Sequence, residues 1–146
     1  MEKNGIKFIS ATDARRDWSQ VFDSVVRDKP QFIRRTRDNV LMANLNFFKD
    51  ILDVYTFTAQ KYIEEDNSIT LSLNEIDLLE NGATENEAKL KLAADILEYA
   101  EEFYNEFNYW SVAPNRKKHI PYVLKALILQ DINKIGDLIQ CQSGKI

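Results

Sequence analysis

A chain of 146 residues holds one ordinary domain or two small ones, and 45 % apolar content lets it pack a core, which excludes global disorder. The single cysteine, Cys141, excludes an internal disulfide framework and a cysteine-based zinc knuckle; MEKNGIKFIS has no apolar signal region and no apolar run is long enough to span a bilayer, so a cytoplasmic protein with no membrane partner is expected. The net charge of −4 is segregated: residues 1–55 carry ten Lys and Arg against eight Asp and Glu, residues 56–113 three against thirteen, and residues 114–146 six against two, as in a chain whose parts meet different partners.

In chain order, IKFIS alternates around Lys7 and predicts a short strand. Residues 11–26, ATDARRDWSQVFDSVV, predict one helix, capped by Thr12 or Ser10, with Asp13 in its first turn and Ala14, Trp18, Val21, Phe22, Val25 and Val26 on its apolar face. Pro30 stops it. QFIRRTR and VLMANL are β-prone runs with Asp38-Asn39 as the hairpin turn between them. Asn44 then caps a short helix, LNFFKDILDVY, with Phe47, Phe48 and Ile51 inward. A second hairpin, YTFTAQKYIE and SITLSLNEI, turns at Glu65-Asp66-Asn67. ENGAT reads as a loop ending in a capping box, Thr84 to Glu87, that opens a long helix over about 85–107 with Ala88, Leu92, Ile96, Tyr99, Phe103 and Phe107 as its stripe. Pro114 breaks the chain, Pro121 opens PYVLKALILQ, Asp131 caps INKIGDLIQ, and the tail from Cys141 to Ile146 is expected to fray. The fold class expected is α+β, with domains at 1–55 and 56–146.

The chemistry-bearing residues favour binding over catalysis. His119 stands alone in RKKHIP, where a surface or capping role outweighs that of a catalytic base, which needs an oriented partner. No serine has a histidine at a motif spacing, and four glycines form no phosphate loop. Glu98, Glu101, Glu102 and Glu106 make a carboxylate-rich helix face that suits either solvent or a hard metal ion, the solvated reading being preferred; Glu64, Glu65 and Asp66 are turn residues. No enzyme activity, metal or cofactor is expected, and a metal-dependent nuclease is a distant alternative. Arg15, Arg16, Arg34, Arg35 and Arg37 are phosphate ligands by charge and geometry. They are equally the partners of Asp13, Asp17, Asp28 and Asp38 in ordinary surface salt bridges.

Three pieces, ISATDARRDWSQVFDSVV, FIRRTRDNVLMANL and NLNFFKDIL, resemble the N-terminal domain of the Phd/YefM antitoxins over residues 6 to about 55. Ala14-Arg15 falls on that family's Ala-Arg and Asn44 on its capping serine. RDN stands where the family has a glycine-containing hairpin, which leaves Arg34, Arg35 and Arg37 as alternatives for the family arginine. The resemblance implies a β-α-β-β-α domain that forms a homodimer, binds operator DNA as an autorepressor and neutralises a cognate toxin, a ribonuclease being the expected kind. Phd/YefM antitoxins continue into a flexible tail. Here the remaining residues carry a full apolar pattern, and TAQKYIEEDNSITLSLNEIDLLENGATENEAKLKLAADILEYAEEF loosely resembles the hairpin-then-helix of HicB-type antitoxins. The whole chain is similar to the Phd-like antitoxins of RelE/RelB-type systems. DILEYAEEFYNEFNYW is the expected toxin contact, through Glu98, Glu101, Glu102, Glu106, Tyr109 and Trp110, because a protein that holds RNA is basic. Completion of the second domain's core by the aromatics is the competing reading. A stand-alone regulatory or scaffold protein without a toxin is the alternative function.

Overall fold

The computed structural model describes residues 5–144, and the chain divides into two units, Met1–Ile51 and Leu52–Ile146.

The first unit opens with β1 (Phe8–Ser10), which runs straight into α1 (Ala11–Arg16). Ser10, not Thr12, is the cap: its hydroxyl accepts the Asp13 N–H at 3.0 Å, and Asp13 complements the positive helix end. The single helix expected over 11–26 is broken at Asp17 (φ −107°, ψ 32°) and resumes as α2 (Trp18–Arg27). Asp is a weak interior helix former, and its carboxylate here takes the Nε and a terminal nitrogen of Arg16 at 3.3 and 3.1 Å. Backbone bonds from Asp17 to Asp13 and from Val21 to Asp17 carry the helical ladder across the break.

β2 (Gln31–Arg35) lies between β1, which is parallel to it, and β3 (Asp38–Met42), which is antiparallel. Arg35 pairs with Asp38, so the turn is Thr36-Arg37, and Asp38-Asn39, expected to be the turn, belong to β3. Thr36 takes φ 57°, a left-handed conformation costly for a β-branched residue. Asn44 accepts the Asn46 N–H at 2.9 Å at the start of α3 (Leu45–Ile51), and its amide reaches back to the Val26 carbonyl. Of the residues expected inward on α3, Phe48 is half-buried, but Phe47 and Ile51 are 51 % and 49 % exposed. The face of α1 and α2 behaves alike: Ala14, Val21 and Val25 are buried, while Trp18, Phe22 and Val26 are about half exposed. Three short strands and three short helices leave too little covering surface for the apolar residues they carry.

The second unit starts with a 3₁₀ turn, Leu52–Val54. Leu52 is buried, and the ammonium of buried Lys125 donates to the Tyr55 carbonyl at 2.7 Å, which ties 52–55 to this unit where the sequence reading ended the first domain at 55. β4 (Thr58–Ile63) and β5 (Ile69–Leu73) form a hairpin with Ala59 opposite Leu73. Its turn is closed by Glu64 N–H to the Ser68 carbonyl, with Asn67 at φ 68°.

Two segments depart from the sequence reading. Leu79–Gly82, placed partly in a loop, is β6; and Gln140–Ser143, at the tail expected to fray, is β7, parallel to β4, with Lys145 and Ile146 lying outside the described residues. The sheet order is β6-β5-β4-β7. Gly82 is required by close approach: a Cβ there would stand 2.5 Å from the Ala88 backbone nitrogen, so only glycine lets the start of the next helix sit against β6.

That helix, α4 (Glu85–Asn105), is opened by Thr84, which accepts the Glu87 N–H, while Glu87 accepts the Ala83 N–H in return. It stops at Asn105, short of 107, because Glu106 leaves helical geometry (φ −124°, ψ 43°) before α5 (Phe107–Trp110). A 3₁₀ turn (Lys117–His119) leads into α6 (Ile120–Leu129), and Asp131 caps α7 (Ile132–Leu138) by accepting from Asn133 and Lys134. Ala88, Leu92, Ile96 and Phe103 of the expected stripe, joined by Ala93 and Ala100, pack with Phe57, Leu71, Val123 and Ile135 in a continuous core; Tyr99 and Phe107 lie at its border. Among the described residues no helix is long and apolar enough to cross a membrane.

Candidate functional site

Within the first unit, the register of β1 on β2 sets Ser10 level with Arg34, one residue before the end of β2. The helix that leaves β1 therefore starts at the end of the sheet where β2 turns into β3. Arg34, Arg35 and Arg37 of the hairpin stand at that end, and Arg15 and Arg16 lie in the last turn of the helix that starts there. Their surroundings differ. Arg16 pairs with Asp13 at 3.3 Å and Asp17 at 3.1 Å, and its hydrogen bond to Asp17 holds it more firmly protonated. Arg35 is 3.7 Å from Asp38. Arg34 lays its guanidinium 3.8 Å over the Phe8 ring and donates to Asn39. Arg15 and Arg37 are exposed and make no ion pair among the described residues. Ordinary surface pairing thus accounts for two of the five arginines.

In the second unit, the acidic helix face divides in two. Glu102, Glu106 and Trp110 line an open cleft of about 950 Å³, together with residues of the β5–β6 loop and of the segment leading to α6. Glu98 and Glu101 are exposed and lie outside the cleft's lining. Tyr109 is 68 % exposed and sets its ring edge-on to Trp110, centroids 4.8 Å apart. Core completion therefore describes Phe107 and Trp110, which pack against the core, but not Tyr109.

The cleft also gathers residues that the sequence did not connect. The Tyr99 hydroxyl lies 2.7 Å from His119 Nδ1 and accepts a hydrogen bond from Arg116 at 3.0 Å. Arg116 supplies a donor to that oxygen, which leaves the hydroxyl proton free to point to Nδ1. His119 is correspondingly easier to deprotonate than a free imidazole, first through burial, then through the nearby charges of Arg116 and Lys118. It is 7 % exposed, a correction to the surface role expected of it, and it stands at the N-cap position of α6 without a side-chain capping bond. Arg116 also sits over the Trp110 ring, 5.0 Å from its centroid. Of the cleft's carboxylates, Glu75 accepts from the Thr58 backbone and hydroxyl. Tyr99, Arg116 and Glu75 carried no signal in sequence, because their partners lie about twenty residues away. Among the described residues no three His, Cys, Asp or Glu side chains gather as metal ligands, the four glutamates of α4 and its end included.

Comparison with known proteins bears on the whole chain. The family described as PHD-like, antitoxin of toxin-antitoxin, RelE / RelB, TA system, matches residues 6–141. A crystal structure from Syntrophomonas wolfei subsp. wolfei, described as the antitoxin part of a candidate toxin/antitoxin system, is 37 % identical, superposes with a TM-score of 0.88, and is covered over 99 % of its chain by 94 % of this one. No curated protein matches.

Proposed function

The chain belongs to the PHD-like family of antitoxins of RelE/RelB toxin–antitoxin systems, and on that premise we propose that it is a non-enzymatic, homodimeric protein that represses its own operator through the first unit and neutralises a ribonuclease toxin through the second. The observation that carries the DNA half is the placing of five arginines on α1 and the β2–β3 hairpin, with α1 starting at the end of the sheet where β2 turns, three of the five without an ion pair among the described residues. Guanidiniums in that arrangement neutralise phosphates and set register without reading bases, and a two-fold dimer presents the pair of modules that half-sites require. For the toxin half, residues 56–113 hold three basic against thirteen acidic side chains, a complement to a protein that binds RNA. Glu98, Glu101, Glu102, Glu106, Tyr109 and Trp110 are proposed as the acidic and aromatic surface that faces the toxin.

Two measurements test this. The product of the neighbouring reading frame should copurify with the chain, and its absence from the purified material would remove the toxin half. Arg15→Ala and Arg37→Ala should each weaken binding to the chain's own promoter fragment about uniformly across sequences and lower the slope of log affinity against log salt by roughly one. Wild-type affinity in both variants, with the fold intact, would return the arginines to the status of surface charges.

A further inference from the structure

We propose that the cleft between the β5–β6 loop, the end of α4 and the Trp110–His119 segment is the seat of one lysine- or arginine-bearing segment of the toxin, and that the outward glutamates of α4 act on association only from a distance. This rests on the antitoxin reading above. Glu102 and Glu106, four residues apart at the end of α4, and Asp77 from the facing loop all line this concave surface, and none makes an ion pair among the described residues. Glu102 and Glu106 are exposed, as Glu98 and Glu101 are, but they share one concave surface with Asp77, so the fields of three carboxylates add where an incoming cation would sit. The aromatic part of the wall already holds a guanidinium, since Arg116 lies over Trp110 and Tyr99. Tyr109, edge-on to Trp110 and exposed, extends that aromatic surface beyond the part Arg116 occupies. An anionic occupant is disfavoured by the balance of the lining: Glu75, Asp77, Glu102 and Glu106 outnumber Arg116 and Lys118, and Arg116 is already engaged by the Tyr99 hydroxyl and the Trp110 ring.

The test uses the full chain with the protein encoded by the neighbouring reading frame, comparing association and dissociation rates at low and near-physiological salt. Glu102→Gln with Glu106→Gln, which keeps side-chain shape, should speed dissociation about tenfold at near-physiological salt, as expected for charges that contact the partner. Glu98→Gln with Glu101→Gln should slow association less than about threefold, at low salt only, and leave dissociation unchanged. In the complex, amides of 74–78 and 110–119 should gain hydrogen-exchange protection. Dissociation unchanged by the cleft pair, or an effect carried by the outer pair, overturns the assignment. If the wild-type chain captures no such partner, the antitoxin reading fails first and this inference falls with it, so the two failures are told apart.

Discussion

The two units spend their apolar residues differently. In the second, Leu71, Leu92, Ile96 and Phe103 are sealed from water in a core continuous from sheet to α6 and α7. In the first, Ala14, Val21 and Val25 are the buried apolar residues, while Trp18, Phe22, Val40, Leu41 and Phe47 each leave about half their surface or more in water. Composition does not make the difference, since both are rich in large apolar side chains. Closure does: a 21-residue helix packed on β5 and β6 and backed by α6 and α7 encloses a core, whereas three short strands and helices of six to ten residues do not. A unit of the first kind holds itself together. One of the second kind invites a partner surface, and the homodimer proposed above would supply it.

The largest effect expected from this contrast is in the second unit. Leu92 is fully buried mid-way along α4. Leu92→Ala should cost about 2–5 kcal/mol through lost transfer energy and a cavity, and calorimetry should show the loss at the same temperature whatever the protein concentration. A concentration-dependent loss would mean that this unit too depends on association.

Truncation in the first unit should behave in the opposite way. Trp18 and Phe22 meet at a tilt and are half exposed, so in an isolated chain either change to alanine costs little, within about 0.5 kcal/mol for a surface site. In a dimer that buries them they are anchor residues, and each substitution should raise the dissociation constant on the order of tenfold or more. Sedimentation equilibrium across a concentration series separates the cases; unchanged association in both variants would place the dimer contact elsewhere on the unit.

How much of this could be read from the chain follows from what periodicity reports. The stripe of α4 and its capping box, the Asn44 and Asp131 caps and the β4–β5 hairpin are local patterns, and they were legible as such. The break at Asp17 was not, because the apolar spacing of 11–26 runs through it unbroken and the helical ladder is carried across it. Nor was the turn at Thr36-Arg37, since Thr36 adopts a backbone conformation its residue type disfavours and Asp38-Asn39 is the better turn pair by propensity. β7 is polar at every position but Cys141 and gains its pairing from β4, eighty residues earlier. Phe47 and Ile51 were assigned inward because periodicity finds an apolar face without saying what meets it. The candidate sites divide likewise: the runs of arginine and glutamate stood out, while the start of α1 beside the β2–β3 turn, and Asp77 with Glu106 on one cleft, needed the register of a sheet and the course of a loop.

The smallest expected effect marks a defect in the otherwise closed second unit. Asp95 of α4 is pushed up to about 6, first by burial, then by the charge of Glu80 on β6 and a hydrogen bond with it, and finally by Glu98. An unfolded aspartate titrates near 3.9, so the folded unit binds the proton more tightly than the unfolded chain does. Stability from this site is therefore full below about pH 4, falls as pH rises through about 6, and is absent at neutral pH, where Asp95 and Glu80 repel. Asp95→Asn keeps the shape and a donor toward Glu80 while removing the charge. The variant should match the wild type near pH 4 and unfold a few degrees higher at pH 7.5, a gain of about 1 kcal/mol or less because solvent screens a partly exposed pair. The first unit's response to concentration should be unaltered. A thermal midpoint that falls at pH 7.5 in the variant would mean that the Asp95 charge is compensated by a cation not among its present neighbours, and the conflict assigned to β6 and α4 would be wrong.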